Sequence, residues 1–254
     1  MNGVYYNEID PYAAQWLRNL IAAGLIAPGE VDERPIENVH ADDLRGFRQC
    51  HFFAGIGGWS RALRLAGWPD DEPVWTGSCP CQPFSVASVA HGGAEGQGDE
   101  RHLWPYFFGH IRERRPARVI GEQVASAIAW GWWDEAALDL EGEGYACASA
   151  VLRADAFGHE RKRLYWLAES SRKGRAGHKP FTSVPVPTAE AFSLDGDTIT
   201  GARRALDGDY SHLLLDDGIP VQVERCATKG YGNAIVPPVA AEFIAAYMSV
   251  ANEH

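Results

Sequence analysis

Strand-like and helix-like segments alternate along residues 1–168, and this alternation constrains the fold more than any other feature of the chain. GVYY, leading into NEID, reads as a strand within residues 2–10. PYAAQWLRNLIAAG opens on Pro11, ends in Gly24 and sets Trp16, Leu17, Leu20 and Ile21 at helical spacing. CHFFAG (50–55) is a short apolar run that breaks into a glycine-rich turn, and WSRALRLAGW continues as a helix. EPVWTGS reads as a strand, HLWPYFFGHIRERR as a helix and PARVIGEQV as a strand ending on a carboxylate. DEAALDLEGEGY and ASAVLRADAFG add a helix and a strand, and KRLYWLAE a further strand. PPVAAEFIAAYMSVAN is an amphipathic helix with Pro near its start. The pattern predicts an α/β, doubly wound, Rossmann-like sheet. With 254 residues, 46% of them hydrophobic, the chain can build one large domain with ample core. Residues 170–210 interrupt the pattern with Ser, Gly, Pro, Thr and charge. The expected division is a main domain over 1–169, a small loop-rich lobe over 170–210 and a return to the main domain over 211–254.

The five cysteines, Cys50, Cys79, Cys81, Cys147 and Cys226, are odd in number and irregular in spacing, which disfavours a disulfide framework. Zinc wants a second close pair, and C-x-C is tighter than the usual spacing. Cys50 and Cys147 lie in apolar contexts and read as inert core thiols. No apolar run could span a bilayer, and MNGVYYNEID has no signal-peptide character, so a soluble, intracellular protein is expected. The net charge of −11 argues against a polyanionic partner. Yet residues 159–180 carry seven Lys/Arg against two Glu, and RERRPAR (112–118) four Arg against one Glu. These strips are either phosphate-binding or solvated helix ends and loops.

Chemistry-bearing residues gather where this topology puts a ligand, at the carboxyl ends of strands. FAGIGG supplies Gly55, Gly57 and Gly58 on a strand-to-helix turn, which is either a nucleotide-like cofactor turn or a plain tight turn. GSCPCQPFS (77–85) follows the next strand, with a cysteine on a loop stiffened by Pro80 and Pro83. Glu122 ends the strand RVIGEQ, and His159, Arg161 and Arg163 open RLYW. A glycine-rich backbone, a thiol, a carboxylate and guanidinium groups are thereby expected on one rim.

In this order, these pieces resemble the DNA cytosine-5 methyltransferases. FAGIGG is similar to the family's cofactor motif and PCQPFS to its nucleophile motif. DERHLW (99–104) resembles the segment that follows. EQV (122–124) stands where the family has Glu-Asn-Val, and HERKR (159–163) where it has Gln-x-Arg-x-Arg. GNAIVPPVA (232–240) resembles its C-terminal motif. The resemblance implies a Rossmann-like methyltransferase fold, S-adenosylmethionine as cofactor, double-stranded DNA as partner and base flipping. It implies Cys81 as nucleophile toward C6 of cytosine, with Cys79 a bystander, Glu122 as the acid at N3, and Arg163, with Arg161, holding the ring. For the cofactor it implies Phe53, Ala54, Gly55, Ile56, Gly57 and Gly58, with Pro80, Leu103, Asn233 and Ala234 alongside.

The chain departs from the family's order. NEIDPYA (7–13) precedes FAGIGG instead of following it, which reads as a circular permutation. Glu8 would then bind the ribose hydroxyls, with Ile9 beside it, and Asp32 in VDERPI would meet the adenine amine. The bland alternative is that Glu8 and Asp32 cap or solvate a βα unit. Gln123 and His159 replace the family's Asn and Gln. The literal Glu-Asn-Val at residues 37–39 lies before the glycine turn and follows no strong strand, so Glu37 reads as a surface residue. The lobe is short for target recognition, which suggests a short site or a second subunit. A phage or bacterial modification enzyme in a cytoplasm follows from the family alone. An RNA cytosine methyltransferase, a non-catalytic DNA-binding relative and a zinc or redox protein are the other readings.

Overall fold

The computed structural model describes residues 3–80, 103–128, 131–154, 161–170 and 235–252. Seven strands form one sheet: β1 (Val4–Asn7), β2 (Gly29–Asp32), β3 (Gln49–Phe52), β4 (Val74–Gly77), β5 (Arg118–Val124), β6 (Tyr145–Arg153) and β7 (Lys162–Ser170). Their order is β2-β1-β3-β4-β5-β7-β6. Neighbours from β2 to β5 run parallel, and β7 is antiparallel to both β5 and β6. The described helices are α1 (Pro11–Ala22), α2 (Gly58–Leu65), α3 (Trp104–Arg114), α4 (Trp132–Gly142) and α5 (Pro237–Asn252). The fold is the expected mixed α/β, Rossmann-like sheet.

Both faces of the sheet are covered, as parallel strands require. On one face Cys50, Phe52, Trp75, Val119 and Trp166 pack with Phe107 and Ile111 of α3 and with Trp132, Ala136 and Leu140 of α4. On the other, Val4 and Tyr6 pack with Leu17 and Leu20 of α1. Val74, Ile120, Tyr165 and Leu167 meet Trp59 and Leu63 of α2 and Val239, Phe243 and Ile244 of α5 there. Gly58 makes the α2–α5 contact close, since a Cβ there would lie 2.7 Å from Ile235 Cγ1.

Most elements sit where the sequence pattern puts them, with strand ends shifted by a few residues, and β6 begins at Tyr145, the residue expected to end the preceding helix. The strand of residues 2–10 shortens to β1, because Asp10 leaves the sheet to cap α1. Its carboxylate accepts from the N–H groups of Tyr12 (2.9 Å) and Ala13 (3.3 Å), and Pro11 follows at the first helical position. The pattern misses β2. GEVD has a single large apolar residue and lies at the sheet edge, paired only with β1. Backbone pairing makes it a strand, and periodicity cannot show that.

Register brings the carboxyl ends of the central strands level. Asp32 lies beside Asn7, Asn7 beside Phe52, Phe52 beside Gly77 and Gly77 beside Gly121. Because β7 is antiparallel, its start meets the end of β5, with Arg163 opposite Val124 and Tyr165 opposite Glu122.

Candidate active site

The rim has two halves, about 14 Å apart over three inter-strand steps from β1 to β5. The first half is the mouth between β1 and β3. Glu8 follows β1, and its two oxygens accept from Gly55 N–H at 2.7 Å and Asp10 N–H at 2.9 Å. The carboxylate thus ties the turn after β3 to the entry of α1. That turn is sharply bent: Phe53, Gly55 and Gly57 all have positive φ, at 52°, 55° and 84°. A Cβ at Gly55 would meet no described atom within 4 Å, so the backbone there faces open space. Gly57 is the N-cap of α2. Ile56 is buried and Ala54 packs in the core, so they shape the turn from behind. Ile9, next to Glu8, is 61% exposed although strongly apolar.

Asp32 is held by partners within the protein. Its carboxylate accepts from Tyr5 Oη at 2.8 Å and pairs with Arg34 at 2.7 Å. Burial pushes its pKa up, but the Arg34 and Tyr5 hydrogen bonds outweigh this and hold it below the usual range. The geometry makes it a structural anchor at the end of β2. Asn7 reinforces that end through Nδ2 to the carbonyls of Asp32 and Arg34. Nothing in the residue pattern marked Asn7 or Arg34, although Arg34 sits two residues after Asp32, where a guanidinium can reach back.

The second half lies between β4, β5 and β7. Glu122 is 6% exposed, in the middle of the sheet. Arg163 Nε stands 2.8 Å from its Oε1, and Arg161 Nη2 3.9 Å from the same atom. Burial raises the Glu122 pKa, and the two guanidinium groups only partly offset this. The site therefore holds a carboxyl with heightened proton affinity beside two cations. Arg163 lies on β7 and Arg161 just before its first residue, Lys162, and both guanidinium groups face the same oxygen of Glu122.

Ser78, Cys79 and Pro80 continue from β4 beside Glu122. Trp59 Nε1–H donates to Ser78 Oγ at 2.9 Å, and Gln123 Nε2–H donates to the Cys79 carbonyl at 3.4 Å. Cys79 is buried, and burial pushes its thiol far up. Cys50 is likewise pushed up by burial, and Cys147 to about 12. All three are poor nucleophiles, as the apolar contexts suggested for Cys50 and Cys147. Pro80 is exposed and Leu103 half-buried at the entry to α3. Glu37 is exposed on a short 3-10 turn, Ile36–Asn38. Cys81, His159, Asn233 and Ala234 lie outside the described residues. Among the described residues no three His, Cys, Asp or Glu side chains are grouped to hold a metal, and no helix is long and apolar enough to cross a membrane.

The family profile of C-5 cytosine-specific DNA methylases matches residues 68–195, half of the chain. The chain belongs to the C-5 cytosine-specific DNA methylase family. The matched segment takes in the Pro80 loop, Glu122, Arg161 and Arg163. No curated protein matches this methylase-family chain. Similar solved structures include a methyltransferase of Entamoeba histolytica, at 13% identity and TM-score 0.44 over 70% of this chain and 49% of that one. A mutant DNMT2 of Spodoptera frugiperda follows at 12% identity and TM-score 0.41, over 72% and 54%. A DNA modification methyltransferase encoded within an E. coli prophage is 17% identical with TM-score 0.40, over 65% and 40%. The chain spans about half the length of these proteins. Family members generally use S-adenosylmethionine.

Proposed function

We propose that this protein transfers a methyl group from S-adenosylmethionine to C5 of cytosine in DNA. The observation that carries the proposal is Glu122: a buried carboxyl of raised proton affinity, flanked by Arg161 and Arg163, level with the stem leading to Cys81. A cytosine ring is a poor carbon nucleophile until a thiolate adds to it. Cys81 would add to C6, and the ring electrons displaced toward N3 would meet the proton that Glu122 holds. Arg163 and Arg161 would neutralise the carboxylate left behind. S-adenosylmethionine, when bound, supplies the electrophilic methyl group. Loss of the C5 proton to water then expels the Cys81 thiolate, and return of the N3 proton to the Glu122 carboxylate restores both the ring and the acid. The target base leaves the duplex stack to reach such a site.

The residues at the first half of the rim fit the cofactor. Glu8 offers a carboxylate at the mouth, Gly55 an open approach to the backbone, and Ile9 an apolar face for a flat ring. Phe53, Ala54, Ile56, Gly57 and Gly58 shape the turn, and Pro80 and Leu103 would contribute from the ends of the segment that carries Cys81. Asp32 would act at a distance, through the turn it anchors.

We also read the chain as circularly permuted. The first two strands, β1 and β2, occupy the outer side of the glycine-turn strand β3, so the chain enters beside the strand that usually opens this sheet order. The family match begins only at residue 68. α5 packing on α2 supports a return of residues 211–254 to the main domain, with the 170–210 lobe, which past Ser170 lies outside the described residues, serving recognition.

The test is covalent trapping. Duplex DNA bearing 5-fluorocytosine, mixed with protein and S-adenosylmethionine, should give an adduct that maps to Cys81. An adduct on another cysteine, or none while methyl transfer proceeds, would overturn the mechanism.

A further inference from the structure

The stem of the PCQPFS loop is held from both sides of the rim by two buried side chains, Trp59 and, at the position where the family carries Asn, Gln123. On the cofactor side, Trp59 is in the first turn of α2, directly after Gly58, and 2% exposed. Its indole N–H reaches across to Ser78 Oγ at 2.9 Å. The ring is wedged edge-on against Tyr165 of β7, with centroids 6.2 Å apart. On the other side Gln123 is 1% exposed on β5. Its Oε1 accepts from Val124 N–H at 2.9 Å. A backbone N–H can only donate, so this bond fixes the amide's orientation and turns its NH2 toward the Cys79 carbonyl, 3.4 Å away. Two consecutive stem residues thus carry one bond each. One bond comes from the glycine-turn helix, the other from the residue after Glu122.

We infer that Trp59 and Gln123 are positioning residues that set where Pro80 launches the loop carrying Cys81, and so the reach of the thiol toward C6. The inference rests on the proposed role of Cys81. Fixing a reacting group to a fraction of an ångström decides much of the rate of such additions, and loss of one neutral hydrogen bond in a buried stem is felt there. The one-methylene difference between Gln123 and the family's Asn belongs to this reading: the longer amide spans from β5 to the Cys79 carbonyl. Trp59 makes the stem answer also to the turn that would hold the cofactor, since the same first turn of α2 begins at Gly57 and Gly58.

The experiment measures single-turnover methyl transfer on duplex DNA, cofactor affinity by calorimetry, and the alkylation rate of Cys81 by iodoacetamide mapped by mass spectrometry. Ser78→Ala, Trp59→Phe and Gln123→Met should each slow single turnover about three- to tenfold, with cofactor affinity nearly unchanged. Ser78→Thr, which keeps the hydroxyl, should recover most of the Ser78→Ala loss. The Trp59→Phe/Ser78→Ala double variant should be no slower than either single, because both remove one bond. Cys81 alkylation should change severalfold in all three single variants. Unchanged single turnover and alkylation in Ser78→Ala and Gln123→Met would overturn the inference while leaving the proposed function standing. Wild-type protein that transfers no methyl group defeats the proposed function instead, and the alkylation rates alone then decide whether the stem is clamped.

Discussion

At the scale of single residues, burial sorts the cysteines and carboxylates by role. Cys79 is close in sequence to Cys81, but burial drives its thiol far above the neutral range. Cys79→Ala should therefore keep most of the methyl-transfer rate, since only the Cys79 carbonyl is used, whereas Cys81→Ala should abolish transfer. Retained turnover in Cys81→Ala would end the nucleophile assignment. Glu122 has its pKa raised by burial, so the folded state holds its proton more tightly than the unfolded chain does. Stability should fall as pH rises from the ordinary carboxyl range through the raised Glu122 pKa, because the unfolded state releases that proton first. A rate that needs the protonated acid should fall over the same rise, while the thiol contributes the opposite limb. Glu122→Gln should erase the alkaline fall in a pH–rate profile and lower the rate by about 10²–10⁴. A wild-type-like rate in Glu122→Gln would assign the acid elsewhere.

At the scale of elements, the first half of the rim is a turn tied to a strand end. Gly55 has φ of +55° with open space where a Cβ would go. Gly55→Ala should cost roughly 1–2 kcal/mol of stability for the left-handed backbone and weaken cofactor binding by more than that strain accounts for. Calorimetric affinity and thermal melting together separate the two effects. Glu8→Ala removes the bond to Gly55 N–H as well as the ribose acceptor, so it should weaken S-adenosylmethionine binding by about 1.5–3 kcal/mol, while Asp32→Ala has a smaller effect. Equal affinities in wild type and Glu8→Ala would remove β1 from the cofactor site. Much of this was legible from residues: the turn at FAGIGG, the strand carrying Glu122, although β5 runs on to Val124, and the arginine pair, with Arg161 just before β7 and Arg163 within it. Other parts were not. β2 has too few apolar residues to announce itself. The Asp32–Arg34 pair arises because β2 ends at Asp32, and the stem bonds of Trp59 and Gln123 join residues 19 and 44 positions apart in the chain. Neither periodicity nor motif spacing encodes such meetings.

At the scale of the whole molecule, the proposed partner of a chain of net charge −11 is a polyanion. Several cations of the described body are already engaged: Arg18 with Glu33, Arg34 with Asp32 and Asp43, Arg64 with Asp70, and Arg118 with Glu72 and Glu169. Phosphate contacts then fall to a local strip, and the 170–210 stretch offers Arg172, Lys173, Arg175 and Lys179 in its sequence. DNA binding should be weak and steeply salt-dependent, and the methylated context about two to four bases, since each good base contact discriminates by only about 1–3 kcal/mol. Bisulfite sequencing of a plasmid treated with the pure protein checks this. A site of six or more defined bases read by a monomer would show a larger recognition surface. The central claim is methyl transfer to cytosine in DNA, and its most direct measurement is transfer of a tritiated methyl group to duplex DNA, single-stranded DNA and tRNA side by side. The account predicts label in duplex DNA, recovered as 5-methylcytosine and lost in Cys81→Ala. Label confined to tRNA, or recovered on another base, would contradict it.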